Sequence, residues 1–390
     1  MQYLRSRRSV WRGQSMGLVL CGLLASFLPS AGAVDAGVTD SEVKISASLV
    51  LSGPLGDQAR EYVTGSRLYF DSVNKAGGVH GRKIVYATVD DGFDVGRAVA
   101  NTKKLIEEDK VFAIYHSTGT AHTAAILPIV TSSKTIVFGP VTGASSLRTN
   151  FVRELFHVRA SYANEAAKIA SQLKEIGVTR IAAVYQDDVF GKTLLGEVQA
   201  ALAAQSIKLV TEIKLDPTKY DFVGAAAQAK SAQPQAMIMC TGGSTFPLFV
   251  KAVNNTDSRP IFYGFSVASL GVIRKELGVK AAGIVLAQIM PSLKNTSTPV
   301  VADYLRLSAV RGKDVVPSAF EFEGFLHARL FVEGLQRAGR KLTTDSFTRA
   351  LEGAGELRYG KFAAVYTPQS HKGSSYVELA IIDTNGQLRY

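Results

Sequence analysis

Small polar residues follow two successive apolar runs of the chain, at the points where each run ends. Residues 117–120 (Ser-Thr-Gly-Thr) follow the run 111–115, and residues 140–145 (Pro-Val-Thr-Gly-Ala-Ser) follow the run 135–138. A helical pattern begins directly after the first polar segment. Hydroxyl groups and the free N–H groups of a helix N-terminus bind carboxylates, and the helix dipole adds to the attraction. If the two runs are neighbouring parallel strands, both segments meet in one crevice and predict a site for an anionic group.

Enzyme motifs are missing from the places where they would have to stand. The segment 190–193 ends like a phosphate-binding loop, but Gln186 stands where that loop requires glycine. No G-x-G-x-x-G follows an apolar run and no G-x-S-x-G occurs, so neither a dinucleotide site nor a serine nucleophile is indicated. The pairs Asp90-Asp91 and Asp187-Asp188 suit helix capping better than acid–base catalysis, and the six histidines lack partners at ligand spacing. We therefore expect no catalytic residue, no metal and no cofactor.

Short apolar runs alternate with longer segments of helical periodicity from residue 43 onward. Such runs are typical of parallel strands that are covered on both faces, and the alternation indicates crossover helices. Because too many strands are predicted for one ordinary open sheet, we expect an α/β fold of two doubly wound lobes, with late strands that re-enter the earlier sheets. The predicted strands are 43–50, 83–89, 111–115, 135–138, 180–185, 207–213, 236–240, 260–263, 283–289, 361–366 and 376–383, and the predicted helices are 64–76, 97–108, 163–176, 194–204, 222–230, 300–311, 318–338 and 343–351.

Residues 1–33 have the layout of an export signal. Four arginines precede an apolar run at 17–28, which is too short to span a bilayer, and Ala31-Gly32-Ala33 has the small-x-small pattern of a signal-peptidase site. The alternatives are an N-terminal membrane anchor, a lipoprotein attached at Cys21, and export by the twin-arginine route. We predict an exported protein whose leader is removed after residue 33.

Charge limits which partners the mature chain can have, and cysteine content limits its disulfides. Removal of the leader lowers the formal net charge from +11 to +7, because the leader contains four arginines and no acid. The remaining basic residues are scattered and not interleaved with aromatics, so we expect no nucleic-acid partner, although a positive bias attracts anionic solutes. Only Cys240 remains, so the fold must depend on its core without an internal disulfide.

Three short motifs stand at the ends of the first predicted elements. Residues 51–54 read Leu-Ser-Gly-Pro, residues 74–82 read Asn-Lys-Ala-Gly-Gly-Val-His-Gly-Arg, and Asp90-Asp91 follow the second strand. They resemble the S-G-P opening, the N-x-x-G-G-[IV]-x-G-[KR] turn and the D-D pair of the branched-chain amino-acid type of periplasmic solute-binding protein, the leucine-binding family. The resemblance runs from about residue 43 to the C-terminus.

This resemblance implies a type I periplasmic binding protein, in which two Rossmann-like lobes close on a ligand about a three-strand hinge. The implied crossings lie near 157–160, 287–289 and 365–368, with lobe 1 comprising 39–158 plus 288–365 and lobe 2 comprising 159–287 plus 366–390. The residues implied to contact the ligand are the carboxylate donors Thr118, Gly119, Thr120, Ala121, Val141, Thr142 and Gly143, and the cleft aromatics Phe190 and Phe322.

The position that holds the α-ammonium group in the amino-acid binders is Ser266 in this chain, where the family has an acid. A buried ammonium without a carboxylate partner is strongly penalised. An amino-acid ligand is therefore expected only if Glu321, Glu323 or Asp188 supplies that carboxylate. The preferred ligand is a carboxylate with an aromatic or apolar body, whose ring we expect to lie among Phe190, Phe265 and Phe322.

Three functions remain in view. The first is a monomeric periplasmic receptor that carries its ligand to an ABC permease of the inner membrane. The second is a sensory module that presents its closed form to a chemoreceptor or sensor kinase. The third is an amide- or ester-processing enzyme, which needs a nucleophile and a base together in the cleft. The sequence favours the non-enzymatic transport receptor, since no such pair is apparent.

Overall fold

The computed structural model describes residues 35–312 and 315–390. The predicted leader, 1–33, with Cys21 and its arginines, lies outside the described residues. Within the described part of the chain, no helix is both long and apolar enough to cross a membrane.

Five parallel strands form the sheet of lobe 1. They are β1 (Glu42–Leu49), β2 (Lys83–Asp90), β3 (Ala113–Ser117), β4 (Ile136–Phe138) and β5 (Leu155–Phe156), connected by a 3-10 turn (Gly53–Leu55) and the helices α1 (Gly56–Lys75), α2 (Val95–Glu107), α3 (Thr120–Ser133) and α4 (Ser146–Thr149). Their order across the sheet is β2-β1-β3-β4-β5. The strand order turns back at β1, so the loops after β1 and β3 enclose a crevice at the carboxyl edge of the sheet.

Lobe 2 repeats this arrangement on a larger sheet. Its helices are α5 (Tyr162–Glu175), α6 (Val189–Ala204), α7 (Phe222–Ala232), α8 (Thr245–Asn254) and α9 (Leu270–Leu277), the last followed by a 3-10 turn (Gly278–Ala281), and its parallel strands are β6 (Ile181–Gln186), β7 (Leu209–Leu215), β8 (Ala236–Cys240), β9 (Ile261–Gly264) and β10 (Val285–Gln288). All five residues of β8 are buried, because helices cover both faces of the sheet. Cys240 ends this strand as a buried free cysteine.

The chain then returns to lobe 1 and completes its core. This part contains the helices α10 (Pro299–Ala309), α11 (Ala319–Ala338) and α12 (Thr344–Glu352) and a small antiparallel sheet of β11 (Glu356–Tyr359), β12 (Phe362–Thr367) and β13 (Ser370–Gly373). Most residues of α11 are buried. It packs so closely on α1 that a Cβ added to Gly65 would collide with the carbonyl oxygen of Glu321, and one on Gly324 with that of Tyr62.

Two final strands, β14 (Glu378–Ile382) and β15 (Leu388–Arg389), complete the lobe 2 sheet, whose order is β15-β14-β10-β9-β8-β6-β7. Both final strands pair antiparallel with their neighbours. The predicted α/β class, with parallel sheets in two lobes that the late strands re-enter, is thereby confirmed.

Three segments connect the lobes: residues 157–161, 289–298 and 374–377. The third lies later than the expected 365–368, because β12 and β13 form a hairpin that stays on lobe 1. The His157 N–H donates to the His371 carbonyl at 2.9 Å and anchors this hairpin beside β5. We therefore propose 35–158 plus 290–373 as lobe 1 and 159–289 plus 374–390 as lobe 2.

Candidate functional site

A cleft of about 390 Å³ lies between the two lobes. The residues that follow β1, β2, β3 and β4 line it from lobe 1, and those that follow β6, β7, β8 and β9 line it from lobe 2. All eight strands present their carboxyl ends to the cleft, which is the position where open α/β sheets bind ligands. The volume suits a small organic molecule.

The two polar segments of the sequence converge on this cleft. Thr118 and Val141 form an isolated parallel bridge: the Val141 N–H donates to the Ser117 carbonyl at 2.8 Å, and the Gly119 N–H to the Val141 carbonyl at 3.4 Å. Thr118, Gly119 and Val141 line the cleft. The Thr118 Oγ1 is buried and has no hydrogen-bond partner among the described residues. This hydroxyl and the first turn of α3 can donate to a carboxylate.

The other residues of the two segments support that surface from behind. Thr120 and Thr142 are buried, and their hydroxyl oxygens lie 2.9 Å apart, so each side chain satisfies the other. The Gly143 carbonyl accepts the Tyr162 N–H at 2.7 Å, and a Cβ on Gly143 would collide with the Tyr162 ring. Ala121 lies in the first turn of α3 and is half-buried. A direct ligand contact by any of these four residues stays a prediction.

Polar groups on the lobe 2 wall are already engaged in local structure. The Asp188 carboxylate caps α6 by accepting the Gly191 N–H at 2.7 Å. The Gln186 Oε1 accepts the Gly242 N–H at 2.7 Å and so holds the loop after β8. Among the described residues that line the cleft, Asp188 has the one acidic side chain, and no lysine or arginine is present.

Most of the remaining cleft surface is apolar, and five aromatic side chains contribute to its lining. Phe190, predicted from the sequence, lies in the lining with its ring edge-on to Tyr162 at 5.9 Å between ring centroids. Sequence reasoning missed most of the other side chains of this surface. The one available signal was for Phe93, which stands two residues after the Asp90-Asp91 motif. The cleft residues found only in the structure include Leu55, Gln58, Tyr62, Phe93, Tyr162, Tyr220 and Val267.

Ser266 belongs to a buried network behind the cleft. Its N–H and hydroxyl donate to the Glu165 carboxylate at 2.7 and 2.8 Å, and its Oγ accepts the Arg159 Nη2–H at 2.6 Å. Because Glu165 takes the hydroxyl hydrogen, Ser266 has no donor left for a ligand. The next residue, Val267, lines the cleft in its place. The position that holds ammonium in the amino-acid binders is thus turned inward.

Arg159 is fully buried at the first interlobe segment and joins the two lobes. Its Nε lies 3.5 Å from the Glu323 Oε1 on α11, whereas its Nη2 reaches Ser266 in lobe 2. Burial raises the pKa of Glu165 to about 7, against the opposing effect of Arg159, and it also raises the pKa of Glu323. One guanidinium therefore faces two buried carboxyl groups, whose charges balance when one of them is protonated.

The structure places Phe322 and Phe265 in the core and not in the cleft. The Phe322 ring is fully buried beside Tyr304 and Phe325, at centroid distances of 5.2 and 6.5 Å. Phe265 is buried edge-on to Tyr162. The expectation that Phe322 lines the cleft is corrected by the packing of α11, which buries this side chain within lobe 1.

Two buried histidines form a pair near the Arg159 network. The His116 Nε2 lies 2.9 Å from the His327 Nδ1. Burial lowers the pKa of His116 to about 3 and holds that of His327 well below its usual value, so both rings are neutral at pH 7. Among residues 35–312 and 315–390, no group of three His, Cys, Asp or Glu side chains is placed to hold a metal ion.

Comparison with known proteins covers both lobes and the cleft. A family model described as periplasmic binding protein matches residues 42–387. Leu/Ile/Val-binding protein homolog 3 of Brucella melitensis is 20% identical over 84% of this chain and 88% of its own length. The crystal structure of a substrate-binding periplasmic protein from Ralstonia solanacearum is 30% identical with a TM-score of 0.82, covering 89% of this chain and 99% of that one. An extracellular ligand-binding receptor from Verminephrobacter eiseniae is 25% identical with a TM-score of 0.84, covering 90% and 100%.

The family match and the structural likeness agree with the motifs at the ends of the first elements. Members of this family are ligand binders that enclose a small molecule between two lobes. Since the match extends over both sheets and the crevice between them, the chain belongs to the periplasmic binding proteins, in the branched-chain amino-acid type.

Proposed function

We propose that this chain is a periplasmic receptor that binds a small carboxylate with an aromatic or apolar body and delivers it to an ABC importer. The observation that carries the proposal is the contrast between two parts of the cleft. The Thr118 hydroxyl and the N–H groups of the first turn of α3 form a donor end without a basic side chain, whereas the walls around it are apolar and include the exposed rings of Phe93 and Tyr220.

The donor end of the cleft favours an anion over a neutral group. Hydrogen bonds to a charged group contribute about 1.5–3 kcal/mol each, and the dipole of α3 adds about 0.3–1 kcal/mol. The aromatic walls favour a ligand with an apolar body. An aromatic ring buries about 150–250 Å², which corresponds to about 4–6 kcal/mol of transfer free energy.

An α-amino acid is the alternative ligand, and Asp188 is the residue on which it depends. Ser266 is engaged by Glu165 and Arg159, and the fully buried Arg159 places a positive charge behind the cleft. An ammonium group therefore has Asp188 as its acidic partner among the described lining residues. One oxygen of that carboxylate already accepts the hydrogen bond that caps α6, which weakens its ability to hold an ammonium group.

The two-lobed design is compatible with delivery to an importer. Closure of the lobes over the ligand creates a surface that a permease distinguishes from the open form. Relatives carry names such as Leu/Ile/Val-binding protein, which supports a role in binding a small ligand for this chain. The leader predicted at 1–33 would take the receptor to the periplasm, and a free hinge suits a monomer.

The ligand class is tested by calorimetry on the mature chain after unfolding and refolding have removed any bound solute. The probes are benzoate, leucine and succinate, with wild type compared with Asp188→Asn. Asparagine caps a helix as well as aspartate does, so this variant changes the charge and preserves α6. We expect wild type to bind benzoate in preference to leucine, and Asp188→Asn to bind benzoate equally well or more tightly, because a like charge is removed.

Binding of leucine that Asp188→Asn abolishes would assign the chain to amino-acid transport and refute the proposed ligand class. The transport role needs a separate measurement: uptake of labelled ligand by cells with and without the gene. Loss of uptake on deletion supports the importer. Unchanged uptake with loss of a response to the ligand would favour the sensory alternative.

A further inference from the structure

Phe93 is presented to the cleft in an unusual conformation. It lies in the turn between β2 and α2 with a φ of 62°, a left-handed value that a bulky side chain rarely adopts. Its side chain lines the cleft and remains 44% exposed. An exposed aromatic ring on a left-handed backbone is unfavourable for the free protein, and such conformations concentrate at binding sites.

The turn that carries Phe93 is fixed by the two carboxylates of the Asp90-Asp91 motif. The Asp91 Oδ1 accepts the Phe93 N–H at 2.9 Å, and its Oδ2 accepts the Ser48 hydroxyl at 3.0 Å. The Asp90 Oδ1 accepts the N–H groups of Gly92 and Leu51 at 2.9 and 2.8 Å. The left-handed conformation at Phe93 is thus held from the end of β1, and the ring is directed by the lobe 1 scaffold.

One face of the Phe93 ring is already occupied. It stacks on the His122 imidazole, with 4.5 Å between ring centroids and 28° between ring planes. His122 is 4% exposed, and neither of its ring nitrogens has a hydrogen-bond partner among the described residues. A Cβ on Gly119 would lie 2.9 Å from the His122 Nδ1 and 3.1 Å from the Phe93 ring. The stacked pair therefore lies directly beside the donors at Thr118 and Gly119.

We propose that Phe93 is a specificity-determining residue of the receptor: its exposed surface contacts the ring of an aromatic carboxylate, while His122 supports the opposite face. The inference rests on the proposed function and extends it, because it assigns recognition of an aromatic body to one side chain of lobe 1. The carboxylate at Thr118 and Gly119 and the ring at Phe93 are then held by adjacent parts of one wall.

The test compares benzoate with cyclohexanecarboxylate, which have the same carboxylate and a similar apolar volume but differ in aromaticity. Aromatic pairing beyond area burial corresponds to about a twofold to tenfold preference in affinity. We expect wild type and Phe93→Tyr to prefer benzoate by a factor in this range. Phe93→Leu keeps an apolar side chain and is expected to bind the two acids almost equally.

Phe151→Leu is the matched control, because Phe151 is 45% exposed and its ring lies edge-on to the buried His371 outside the cleft. It should retain the benzoate preference. A preference retained in Phe93→Leu, or absent in wild type that binds both acids, would overturn the role of Phe93 and leave the proposed function standing. Failure of wild type to bind either acid would overturn the proposed function itself, and the role of Phe93 with it.

Discussion

Replacing Glu165 with glutamine tests the buried network behind the cleft. The Glu165 carboxylate is fully buried and accepts both hydrogen bonds that Ser266 donates. Burial raises its pKa from 4.5 to about 7, and the opposing effect of Arg159 is insufficient to cancel it. Glutamine has nearly the same shape and cannot ionise, so it removes the titration. Its amide has one acceptor oxygen, so it keeps one of the two hydrogen bonds that Ser266 donates.

The direction of the effect follows from proton binding by the folded and unfolded chains. Below pH 4.5 both states hold the proton on Glu165, and its contribution to stability is fully present. Between pH 4.5 and about 7 the unfolded chain releases the proton while the folded chain retains it, so the free energy of unfolding falls as the pH rises. Above pH 7 the loss is complete and amounts to about 3 kcal/mol.

Glu165→Gln should therefore lack this pH-dependent loss, so its stability relative to wild type should rise by about 3 kcal/mol between pH 4 and pH 8. The rise starts from a deficit of about 1–3 kcal/mol for the Ser266 donor that the amide nitrogen leaves unpaired. The groups that face Glu165 are Arg159, Arg148, Glu323, Ser266 and Tyr162. Arg159 keeps Glu323 as its partner in the variant. Near pH 4 the variant should be the less stable of the two proteins.

The assay is urea unfolding at several pH values between 4 and 8, followed by far-ultraviolet circular dichroism, since the one tryptophan is Trp11 in the predicted leader. Glu175→Gln is the control, because Glu175 lies exposed on the same helix, α5, and should leave the pH profile unchanged. A Glu165→Gln protein that loses stability between pH 4.5 and 7 as steeply as wild type would refute the assignment of a buried, protonated Glu165.

Three further changes separate support of the cleft from contact with the ligand. In Gly119→Ala, the new Cβ is strained at a φ of 93° and crowded by His122, so the free energy of unfolding should fall by about 1–3 kcal/mol. Calorimetry should show at least a tenfold lower affinity for benzoate, and an unchanged affinity would exclude a ligand contact at this loop. Phe322→Ala should lower the free energy of urea unfolding by about 3–5 kcal/mol, while the folded protein keeps its affinity for the ligand. A loss of affinity without a loss of stability would show that Phe322 contacts the ligand. Gln58→Ala removes the interlobe hydrogen bond of 3.2 Å to the Val267 carbonyl, so affinity for the ligand should fall about twofold to tenfold. Small-angle X-ray scattering of the ligand-free variant should show a larger radius of gyration than that of wild type. Identical scattering curves would contradict a role of Gln58 in closure.

Most elements of the fold were predictable because their patterns are local. The apolar run 236–240 coincides with β8, and the helical pattern at 318–338 coincides with α11 within one residue. Two strands without an apolar run of their own were missed: β5 has two residues, and β13 reads Ser-His-Lys-Gly. The hairpin of β12 and β13 went unrecognised for this reason, and the third crossing that we propose lies after it.

The convergence of the two polar segments was also predictable, since they follow two strands that end at one edge of a parallel sheet. Thr118 and Val141 indeed form a bridge at that edge. The aromatic part of the site was not predictable in the same way. Phe93 reaches the cleft through a left-handed turn that the Asp90 and Asp91 carboxylates stabilise, and no periodicity in the sequence predicts such a turn.

The sequence by itself determined the class of fold and the edge of the sheets where the cleft opens, because strand and helix periodicity and strand-end loops depend on neighbouring residues. Only the tertiary structure decided which side chains face the ligand. Ser266 is withdrawn from the cleft by Glu165 and Arg159, which lie 101 and 107 residues away in the chain, and Phe322 is withdrawn by the packing of α11 against the rest of lobe 1. Contacts over such separations arise when the lobes assemble, and no local pattern encodes them.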